Sequence, residues 1–322
     1  MSLEILLFGG RNHRFPQQRP AWDLFEAALL VKIRDGEIVQ KLEYEGSALD
    51  REVGIDTCFR AATVLGDHAY ACTSTEVLKI DLRSFRITEH LSHPLFNDVH
   101  HVAVVNGHFF VTSTGIDSVV ELDERFQLIR RYPVAKDEII ERFGADADYR
   151  RIPSTKPHAA HPNFVETWAG DVWVTNFQTG EVESLTSSRK YPLSENRVHD
   201  GVPALGRVWF TEVSGKVIEL DPETGTTTSF DLTPMTGAER ALGWCRGIAP
   251  VSRTDAIVGF SRLRETKVRE NLKWLGNKLL GQSFVVSLPT RIARYDLARR
   301  AETWRFDLEE HGMNAVFSIH VS

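Results

Sequence analysis

Apolar and polar residues follow one another in blocks that recur along this chain of 322 residues. In the clearest copy, residues 97–113, a polar start is followed by an apolar run, a turn at Gly107 and a second run rich in β-branched and aromatic residues. A short polar loop then leads to a third apolar run at residues 118–122. Short apolar runs bounded by Gly and small polar residues predict β-strands joined by tight turns.

Four threonines mark the repeat, because each of them closes an apolar run that follows a glycine turn. They are Thr73, Thr112, Thr175 and Thr211. Another apolar run follows each threonine, and a weaker fourth run completes the unit, as at residues 127–132. Radial repetition of four-stranded units predicts a β-propeller in which each unit is one blade.

The two ends of the chain predict how the ring of blades closes. A fifth, longer unit begins near Gly247 and ends near Phe306, and the strand predicted at residues 314–320 then has no followers. Residues 3–44 supply three strands that lack a first one. Joining the two ends completes a sixth blade and removes the open edges of the ring. The whole chain, residues 1–322, is therefore predicted to be one all-β domain, a six-bladed β-propeller.

Three insertions interrupt the repeat, at residues 9–25, 135–162 and 262–283. Each belongs to a class of loop that emerges on one face of a propeller, so we expect all three to crowd one mouth of the channel. In the second insertion, residues 137–143 predict a short helix. In the third, the spacing of Val268, Leu272, Leu275 and Leu279 predicts a basic amphipathic helix. We expect this helix to be a lid that meets the first insertion over the mouth; a membrane-surface helix is the alternative.

Charge, cysteine usage and missing motifs exclude several classes of protein. The formal net charge of −6 gives the chain no electrostatic footprint for nucleic acid. Its three cysteines lack the spacing of a disulfide framework or a zinc knot, which favours a cytoplasmic protein. We expect neither export nor a membrane partner, since no signal peptide and no apolar run of about 20 residues is found. The motifs of serine hydrolases, zincins, P-loop proteins and dinucleotide-binding proteins are also absent.

Polar residues fall at the channel ends of successive innermost strands when the blades are aligned on their glycine turns. These positions hold Phe59-Arg60, His100-His101, Asn163-Phe164, His199-Asp200, Cys245-Arg246 and Asn314. A position used only for scaffolding would repeat small or apolar residues. The set therefore predicts a site on the channel axis, bound by a small-molecule substrate.

Four histidines are candidate ligands of a divalent metal ion at this site: His100, His101, His161 and His199. Neutral imidazole is a common ligand of divalent transition metals. Because neighbours on a strand point to opposite sides, only one of His100 and His101 can readily face the axis. Register with Arg60 and Asp200 favours His101. Alignment with the fourth blade would instead pair His100 with His199. The alternative for each histidine is a capping or surface role.

The other polar residues have candidate roles in proton transfer or substrate binding. His199 and Asp200 are candidate catalytic residues, and Asp200 could instead be a metal ligand or orient a histidine. Arg60 and Arg246 are candidate anchors for a substrate carboxylate or phosphate, because guanidinium offers bidentate hydrogen bonds. The alternative for these arginines is a salt bridge between blades. The predicted substrate-binding set is Arg60, Arg246, Asn163 and Asn314.

The fourth repeat carries a resemblance to known propellers. Residues 198–225 read VHDGVPALGRVWFTEVSGKVIELDPETG. This unit resembles the repeat of virginiamycin B lyase-type propellers and, more loosely, that of the group formed by senescence marker protein and gluconolactonase. The resemblance is sharp over this blade and weaker over blades one to three, and it supports the propeller fold.

The same resemblance implies an activity. It implies a divalent metal at the centre of the propeller that polarises a lactone or ester-like substrate for lyase or hydrolase chemistry. The gluconolactonase group binds its metal through Glu, Asn and Asp. The matching positions here offer His100 or His101, Asn163, and His199 or Asp200. This difference favours a transition metal over calcium.

Two functional hypotheses follow for the mouth of the propeller. The leading one is a metal-dependent enzyme, of lyase or hydrolase type, that acts on a small polar or anionic metabolite. The other is a non-catalytic propeller whose mouth binds a peptide or a protein partner through hydrogen bonds.

Overall fold

The computed structural model describes residues 3–15, 18–20, 22–263 and 287–322, and 24 strands lie within these ranges. They are β1 (Glu4–Asn12), β2 (Phe25–Arg34), β3 (Glu37–Tyr44), β4 (Ala62–Leu65), β5 (His68–Cys72), β6 (Val77–Asp81), β7 (Arg86–Leu91), β8 (Val99–Val105), β9 (His108–Ser113), β10 (Ser118–Leu122), β11 (Leu128–Pro133), β12 (Pro162–Trp168), β13 (Asp171–Asn176), β14 (Glu181–Ser184), β15 (Lys190–Pro192), β16 (Val198–Ala204), β17 (Arg207–Glu212), β18 (Lys216–Leu220), β19 (Thr227–Asp231), β20 (Trp244–Ser252), β21 (Asp255–Ser261), β22 (Arg291–Asp296), β23 (Ala301–Asp307) and β24 (Ala315–Val321).

The helical segments of the described residues are short. Three are α-helices, α1 (Ala48–Val53), α2 (Glu138–Phe143) and α3 (Leu232–Thr236), and single 3₁₀ turns occur at Thr114–Ile116, Tyr149–Arg151 and Glu309–His311. No helix in this part of the chain is long and apolar enough to cross a membrane.

The strands form six four-stranded antiparallel sheets, and each sheet is one blade. Blades one to five are β4–β7, β8–β11, β12–β15, β16–β19 and β20–β23, and blade six has the order β24-β1-β2-β3. The first strands of neighbouring blades contact one another from β4 through β8, β12, β16 and β20 to β24. The all-β, six-bladed propeller predicted from the repeat is confirmed.

The ring closes where the C-terminal strand β24 pairs with the N-terminal strand β1. Ile5 lies opposite Val321 at one end of this pairing, and Gly10 lies opposite Ala315 at the other. A Cβ atom at Gly9 would overlap with the carbonyl oxygen of Ala315, so the close approach of the two strands requires glycine here. The closure therefore agrees with the shared blade predicted from the incomplete strand sets at the two termini.

The cores lie between neighbouring blades. Trp209 and Val217 of blade four pack in one buried cluster with Phe260 and Tyr295 of blade five. Full burial of an apolar side chain of this size contributes roughly 1.5–3 kcal/mol. The outermost strand of a blade has one face toward solvent, as the alternating burial of β3 shows. This explains why the inner strands read as continuous apolar runs and the fourth strands as weak ones.

The glycine turns of the repeat are tight β-hairpins. In blade two, Asn106 and Gly107 join β8 to β9 with φ angles of 51° and 83°. Two positive φ angles in a two-residue loop are typical of the type I′ turn, whose twist matches that of the flanking strands. The glycine turns therefore lie at one end of the innermost strands, and the candidate site residues lie at the other end.

The insertions differ in extent from the prediction. β1 continues to Asn12 and β2 begins at Phe25, so the first insertion is shorter than residues 9–25. The second contains the predicted short helix, which is α2, and ends where β12 begins at Pro162. The helix predicted in the third insertion, residues 268–280, lies outside the described residues. The described flanks of that insertion meet, since Leu263 N donates to Ser287 Oγ at 2.9 Å.

Candidate active site

Four innermost strands are irregular at the predicted site residues. The pairing register shifts between Val99 and Val102 in β8, between Pro162 and Phe164 in β12, between Asp200 and Val202 in β16, and between Cys245 and Ile248 in β20. These shifts enclose His100 and His101, Asn163 and Arg246, and Asp200 borders the shift in β16. β-bulges redirect side chains and are common beside active sites. Repeated bulging therefore turns these polar side chains away from a regular strand pattern.

Three histidines from blades two, three and four gather in one cluster at the start of these strands. The ring centroids of His100 and His161 are 5.1 Å apart. Phe177 bridges the cluster, with its ring centroid 4.9 Å from that of His161 and 4.9 Å from that of His199. Trp244 of blade five lies beyond it, 6.2 Å from Phe177. We call this group the mouth cluster.

The contacts of His100 fix its tautomer. Its Nδ1 lies 2.7 Å from the carbonyl oxygen of Asp98 and 3.0 Å from Thr114 Oγ1. The Thr114 hydroxyl donates to the Pro162 carbonyl oxygen. Since a carbonyl can only accept, Nδ1 carries the proton and Nε2 presents a lone pair. Burial lowers the pKa of His100 to about 4, so the ring is neutral at pH 7.

His161 is held by the loop that precedes β12. Its backbone nitrogen donates to Asp117 Oδ1 at 2.7 Å, and Ala159 N donates to Asp117 Oδ2 at 2.6 Å. Its φ of 56° lies in the left-handed region, where His is one of the more tolerated residues. Burial, His100 and His158 together lower the pKa of His161 well below its usual value.

His199 has the opposite tautomer to His100. The carboxamide nitrogen of Asn163 lies 2.8 Å from the Val198 carbonyl oxygen and 2.9 Å from His199 Nδ1. Because that nitrogen must donate to the carbonyl, His199 Nδ1 must accept, and the proton of the neutral ring is on Nε2. Burial, followed by the charge of Arg246, lowers the pKa of His199 well below its usual value.

Asn163 itself points to a ligand. It is 3% exposed, and its Oδ1 has no hydrogen-bond partner among the described residues. A buried carbonyl oxygen without a donor is costly. A ligand N–H or O–H donor at this point of the mouth would satisfy it.

Asp200 is next to His199 in sequence, but its carboxylate contacts Thr211 and Gly247. Its Oδ2 accepts from Thr211 Oγ1 at 2.6 Å and from the backbone nitrogen of Gly247 in blade five at 3.0 Å. Its φ of 66° is left-handed. Burial raises the pKa of Asp200 to about 6. The carboxylate therefore joins blade four to blade five. Its predicted role in proton transfer stays a prediction.

The two predicted anchor arginines lie on one aromatic ring. The Arg246 guanidinium carbon is 3.5 Å from the Phe317 ring centroid, and that of Arg60 is 4.9 Å from the same centroid. Arg60 Nη2 also lies 3.1 Å from Asp56 Oδ1 and 3.5 Å from Asp98 Oδ1. Asp98 belongs to blade two, so the inter-blade ion pair considered for Arg60 is present. The Arg60 Nε has no partner among the described residues.

The ionised form of Asp98 is stabilised by its neighbours. Burial raises the pKa of this carboxyl group, but His100, Arg60 and Lys156 outweigh burial and lower it. The mouth therefore combines fixed positive charge, the carboxylates of Asp56 and Asp98 beside Arg60, and neutral imidazoles. Asp98, Thr114 and Phe177 belong to this arrangement, and none of them was a predicted site residue.

His101 and Asn314 do not join the mouth cluster. The His101 ring stacks on Phe164 at 3.7 Å, its Nδ1 lies 2.8 Å from the Val165 carbonyl oxygen, and its Nε2 lies 3.2 Å from Thr63 Oγ1. Burial lowers its pKa to about 3. The structure places His100, and not His101, beside His161, because the bulge in β8 interrupts the expected alternation. The role of His101 as a metal ligand stays a prediction.

Asn314 contacts the strand with which the ring closes. Its Oδ1 accepts from Asn12 N at 3.0 Å, and its backbone nitrogen donates to the Gly10 carbonyl oxygen at 2.8 Å. Its side chain thus fixes the end of β1 to the start of β24.

The predicted four-histidine metal site does not fit this arrangement. Both ring nitrogens of His101 have protein partners, and the proton on His199 Nε2 leaves that nitrogen without a lone pair. Among residues 3–15, 18–20, 22–263 and 287–322, no group of three or more His, Cys, Asp or Glu side chains is placed to hold one metal ion.

Comparison with known proteins supports the fold. No family model matches the sequence, and no curated protein matches it significantly. The chain is similar to a protein of unknown function from Bacteroides caccae, with a TM-score of 0.60 at 11% identity over 100% of this chain and 99% of that one. It is also similar to a chain of a nidogen/laminin complex, with a TM-score of 0.56 at 8% identity over 99% and 98%.

A third similar structure belongs to the group already indicated by the fourth repeat. This is virginiamycin B lyase from Staphylococcus aureus, with a TM-score of 0.46 at 16% identity over 77% of this chain and 69% of that one. At these identities the likeness concerns the fold alone.

Proposed function

We propose that the mouth of the propeller is an active site that binds a small anionic metabolite and transfers protons, in a reaction of the lyase or hydrolase type. The observation that carries the proposal is the pairing of opposite tautomers in one buried cluster. His100 presents a lone pair on Nε2, whereas His199 presents an N–H on Nε2. A proton acceptor and a proton donor at one site are the elements of general acid–base catalysis.

The charged groups define the class of substrate. Arg246 lies close enough to the histidines to lower the pKa of both His100 and His199. A carboxylate or phosphate bound there would receive charge-assisted hydrogen bonds from the guanidinium. The unpartnered Arg60 Nε and Asn163 Oδ1 add one donor and one acceptor. A small anion that also carries a hydroxyl or amide group matches this set.

The reaction follows from the protonation states. His100 Nε2 takes a proton from a substrate carbon or from a water molecule. In an elimination, the electron pair of the broken C–H bond forms a double bond and the leaving group departs with its bonding electrons. In a hydrolysis, the water oxygen attacks the carbonyl carbon of an ester or lactone instead. The bond from that carbon to the alcohol oxygen then breaks, and the His100 imidazolium returns its proton to the leaving alkoxide. His199 Nε2–H donates to the oxygen on which negative charge develops, and Arg246 stabilises that charge.

Burial supports proton transfer at neutral pH. A lowered pKa keeps His100 unprotonated and ready to accept a proton. An anion bound nearby favours the imidazolium and raises the pKa of His100 again, which makes the ring a stronger base in the complex. The low polarity of the site strengthens both effects.

The proposal needs no metal ion. The divalent metal expected from the resemblance has no converging ligand set among the described residues, and no step is assigned to it. Elemental analysis of protein purified without chelator tests this part directly. A stoichiometric amount of a transition metal would favour the hypothesis of a metal-dependent enzyme over the present proposal.

Substitution of the histidines tests the proposed chemistry. Candidate lactones, esters, hydroxy acids and amino-acid-derived acids are incubated with the protein, and products are measured by mass spectrometry. We expect His100→Gln and His199→Gln to reduce turnover about 10²–10⁴-fold. His108→Gln is the matched control, because His108 is on the same blade as His100 but pairs with Glu121. If ligands bind and none is turned over, the mouth is a binding site, as in the alternative hypothesis of a non-catalytic propeller.

A further inference from the structure

We infer that Asn97, Thr155 and His158 form a hydrogen-bonded chain that sets the tautomer of His161. This makes them positioning residues for the mouth cluster, in which His161 adjoins His100. Any effect of these residues on catalysis rests on the proposed function, whereas the chain of hydrogen bonds does not. The three residues come from the segment before β8 and from the second insertion, so this role ties the insertion to the site.

The starting point is the carboxamide of Asn97. Its Nδ2 donates to two backbone carbonyl oxygens of the second insertion, those of Tyr149 and Ile152, both at 2.7 Å. Because only the nitrogen can donate, the orientation of the amide is fixed and Oδ1 must be an acceptor. Asn97 is 4% exposed, and its Oδ1 lies so close to Gly115 that a Cβ there would overlap with it.

The hydroxyl of Thr155 connects Asn97 to His158 and thereby fixes which nitrogen of His158 carries the proton. Thr155 Oγ1 lies 3.3 Å from Asn97 Oδ1 and 3.0 Å from His158 Nε2. A hydroxyl has one hydrogen, and the amide oxygen requires it. His158 Nε2 must then donate to Thr155. Burial lowers the pKa of His158, so the ring is neutral and its Nδ1 has no proton.

His161 is the last member of the chain. Its Nδ1 lies 3.1 Å from His158 Nδ1. Since His158 Nδ1 can only accept, His161 Nδ1 carries the proton and its Nε2 presents a lone pair. His161 and His100 therefore have the same tautomer, and the mouth holds two adjacent proton acceptors from different blades.

The reverse arrangement of these hydrogen bonds, in which Thr155 donates to His158 and His158 donates to His161, is disfavoured. If His161 carried its proton on Nε2, His158 Nδ1 would donate to His161, and Thr155 would donate to His158. Asn97 Oδ1 would then lose the hydroxyl donor that it has now. Leaving a buried carbonyl oxygen without a donor is more costly than losing a hydrogen bond in solvent.

The tautomer can be measured without a substrate. In protein labelled with ¹⁵N-histidine, two-bond proton–nitrogen correlation spectra distinguish the protonated from the unprotonated ring nitrogen. We expect His161 to carry its proton on Nδ1 in the unmodified protein. In Thr155→Val the hydroxyl is replaced by a methyl group of similar size, and the Nδ1–H to Nε2–H ratio of His161 should fall roughly fivefold or more.

Two further variants separate positioning from packing. Thr155→Ser keeps the hydroxyl and should restore the ratio. Thr73→Val is the matched control, because Thr73 is also buried but its hydroxyl accepts from the Glu76 backbone nitrogen in blade one and contacts no histidine among the described residues. It should leave the His161 signals unchanged.

Two results overturn the chain: a His161 proton on Nε2 in the unmodified protein, or an unchanged ratio in a folded Thr155→Val variant. The first can be observed even if that variant does not fold. Neither result depends on turnover. A correct tautomer in a protein that binds no anion would leave the chain intact and contradict the proposed function alone.

Discussion

The Asn163 carboxamide nitrogen lies 2.9 Å from His199 Nδ1, so an amide on the first strand of blade three fixes the ring of a histidine on the first strand of blade four. The same nitrogen is bound to the Val198 carbonyl oxygen, which prevents the amide from turning over. The donor on His199 Nε2 therefore depends on a residue that the sequence indicated as a contact of a substrate or a metal ion and not as a partner of a histidine.

Changing this amide to an acid should reverse the tautomer of His199. In Asn163→Asp, a carboxylate oxygen replaces the nitrogen and accepts a proton from Nδ1, and its charge raises the pKa of His199. We expect the ring to change from Nε2–H to Nδ1–H in ¹⁵N-histidine spectra and turnover to fall about 10²-fold. The control is Asn176→Asp, since buried Asn176 binds Glu183 and no histidine. An unchanged His199 ring in folded Asn163→Asp would refute the assignment.

Asp200 should give the stability of the protein a distinct pH dependence. Its folded pKa of about 6 exceeds the ordinary value of 3.8, so the folded state binds more protons between these values. The contribution of Asp200 to the free energy of unfolding is therefore present below about pH 4 and is lost as the pH rises through about 6. Asn can accept the same bonds from Thr211 and Gly247 but does not titrate.

Comparison of wild type with Asp200→Asn isolates this effect from the buried histidines, whose lowered pKa values act in the opposite sense. We expect the variant to gain about 2–3 kcal/mol in unfolding free energy relative to wild type between pH 4 and pH 7. Urea unfolding at several pH values measures this difference. A difference that stays constant over the range would show that Asp200 is not held in the low-polarity contact described.

Ring closure should be essential for stability. Deleting residues 314–322 removes β24, whose Val316, Phe317 and Ile319 are buried. The loss of roughly 1.5–3 kcal/mol for each is comparable to the whole stability of a typical domain, about 5–15 kcal/mol. We expect the truncated chain not to fold cooperatively, as followed by circular dichroism during thermal unfolding. An unchanged unfolding midpoint would contradict the closure.

A point variant tests the closure without removing a strand. Gly9→Ala places a methyl group against the Ala315 carbonyl oxygen and should separate β1 from β24. Gly36→Ala is the control in the same blade, because its added Cβ would meet no atom within 4 Å and only its φ of +80° is strained. The loss of stability should be clearly larger for Gly9→Ala.

The sequence was sufficient to predict the fold because its signals are local. Glycine turns such as Gly107 and the apolar runs on either side repeat at regular intervals, and the unmatched strands at the two ends leave one way to close the ring. The candidate residues also came from this alignment, which places the pairs His100-His101 and His199-Asp200 at positions equivalent to those of Asn163 and Arg246.

The contacts of the site could not be predicted in the same way. A bulge that encloses His100 and His101 is invisible in a pattern that assumes regular alternation, and it changes which histidine reaches His161. The role of Asp200 depends on a backbone nitrogen of the next blade. The tautomers depend on carbonyl groups whose positions only the folded chain defines.

The measurement that most directly tests an anion-binding active site is ligand-induced stabilisation in wild type and two arginine variants. A panel of carboxylic acids, phosphate esters, lactones and esters is screened by thermal unfolding, with Arg246→Gln compared to Arg253→Gln. Arg253 is on the same blade but is exposed and donates to the Leu205 carbonyl oxygen. The account predicts that anionic ligands stabilise wild type and Arg253→Gln and that Arg246→Gln loses most of this effect. Equal stabilisation of all three proteins, or stabilisation by uncharged ligands only, would contradict it.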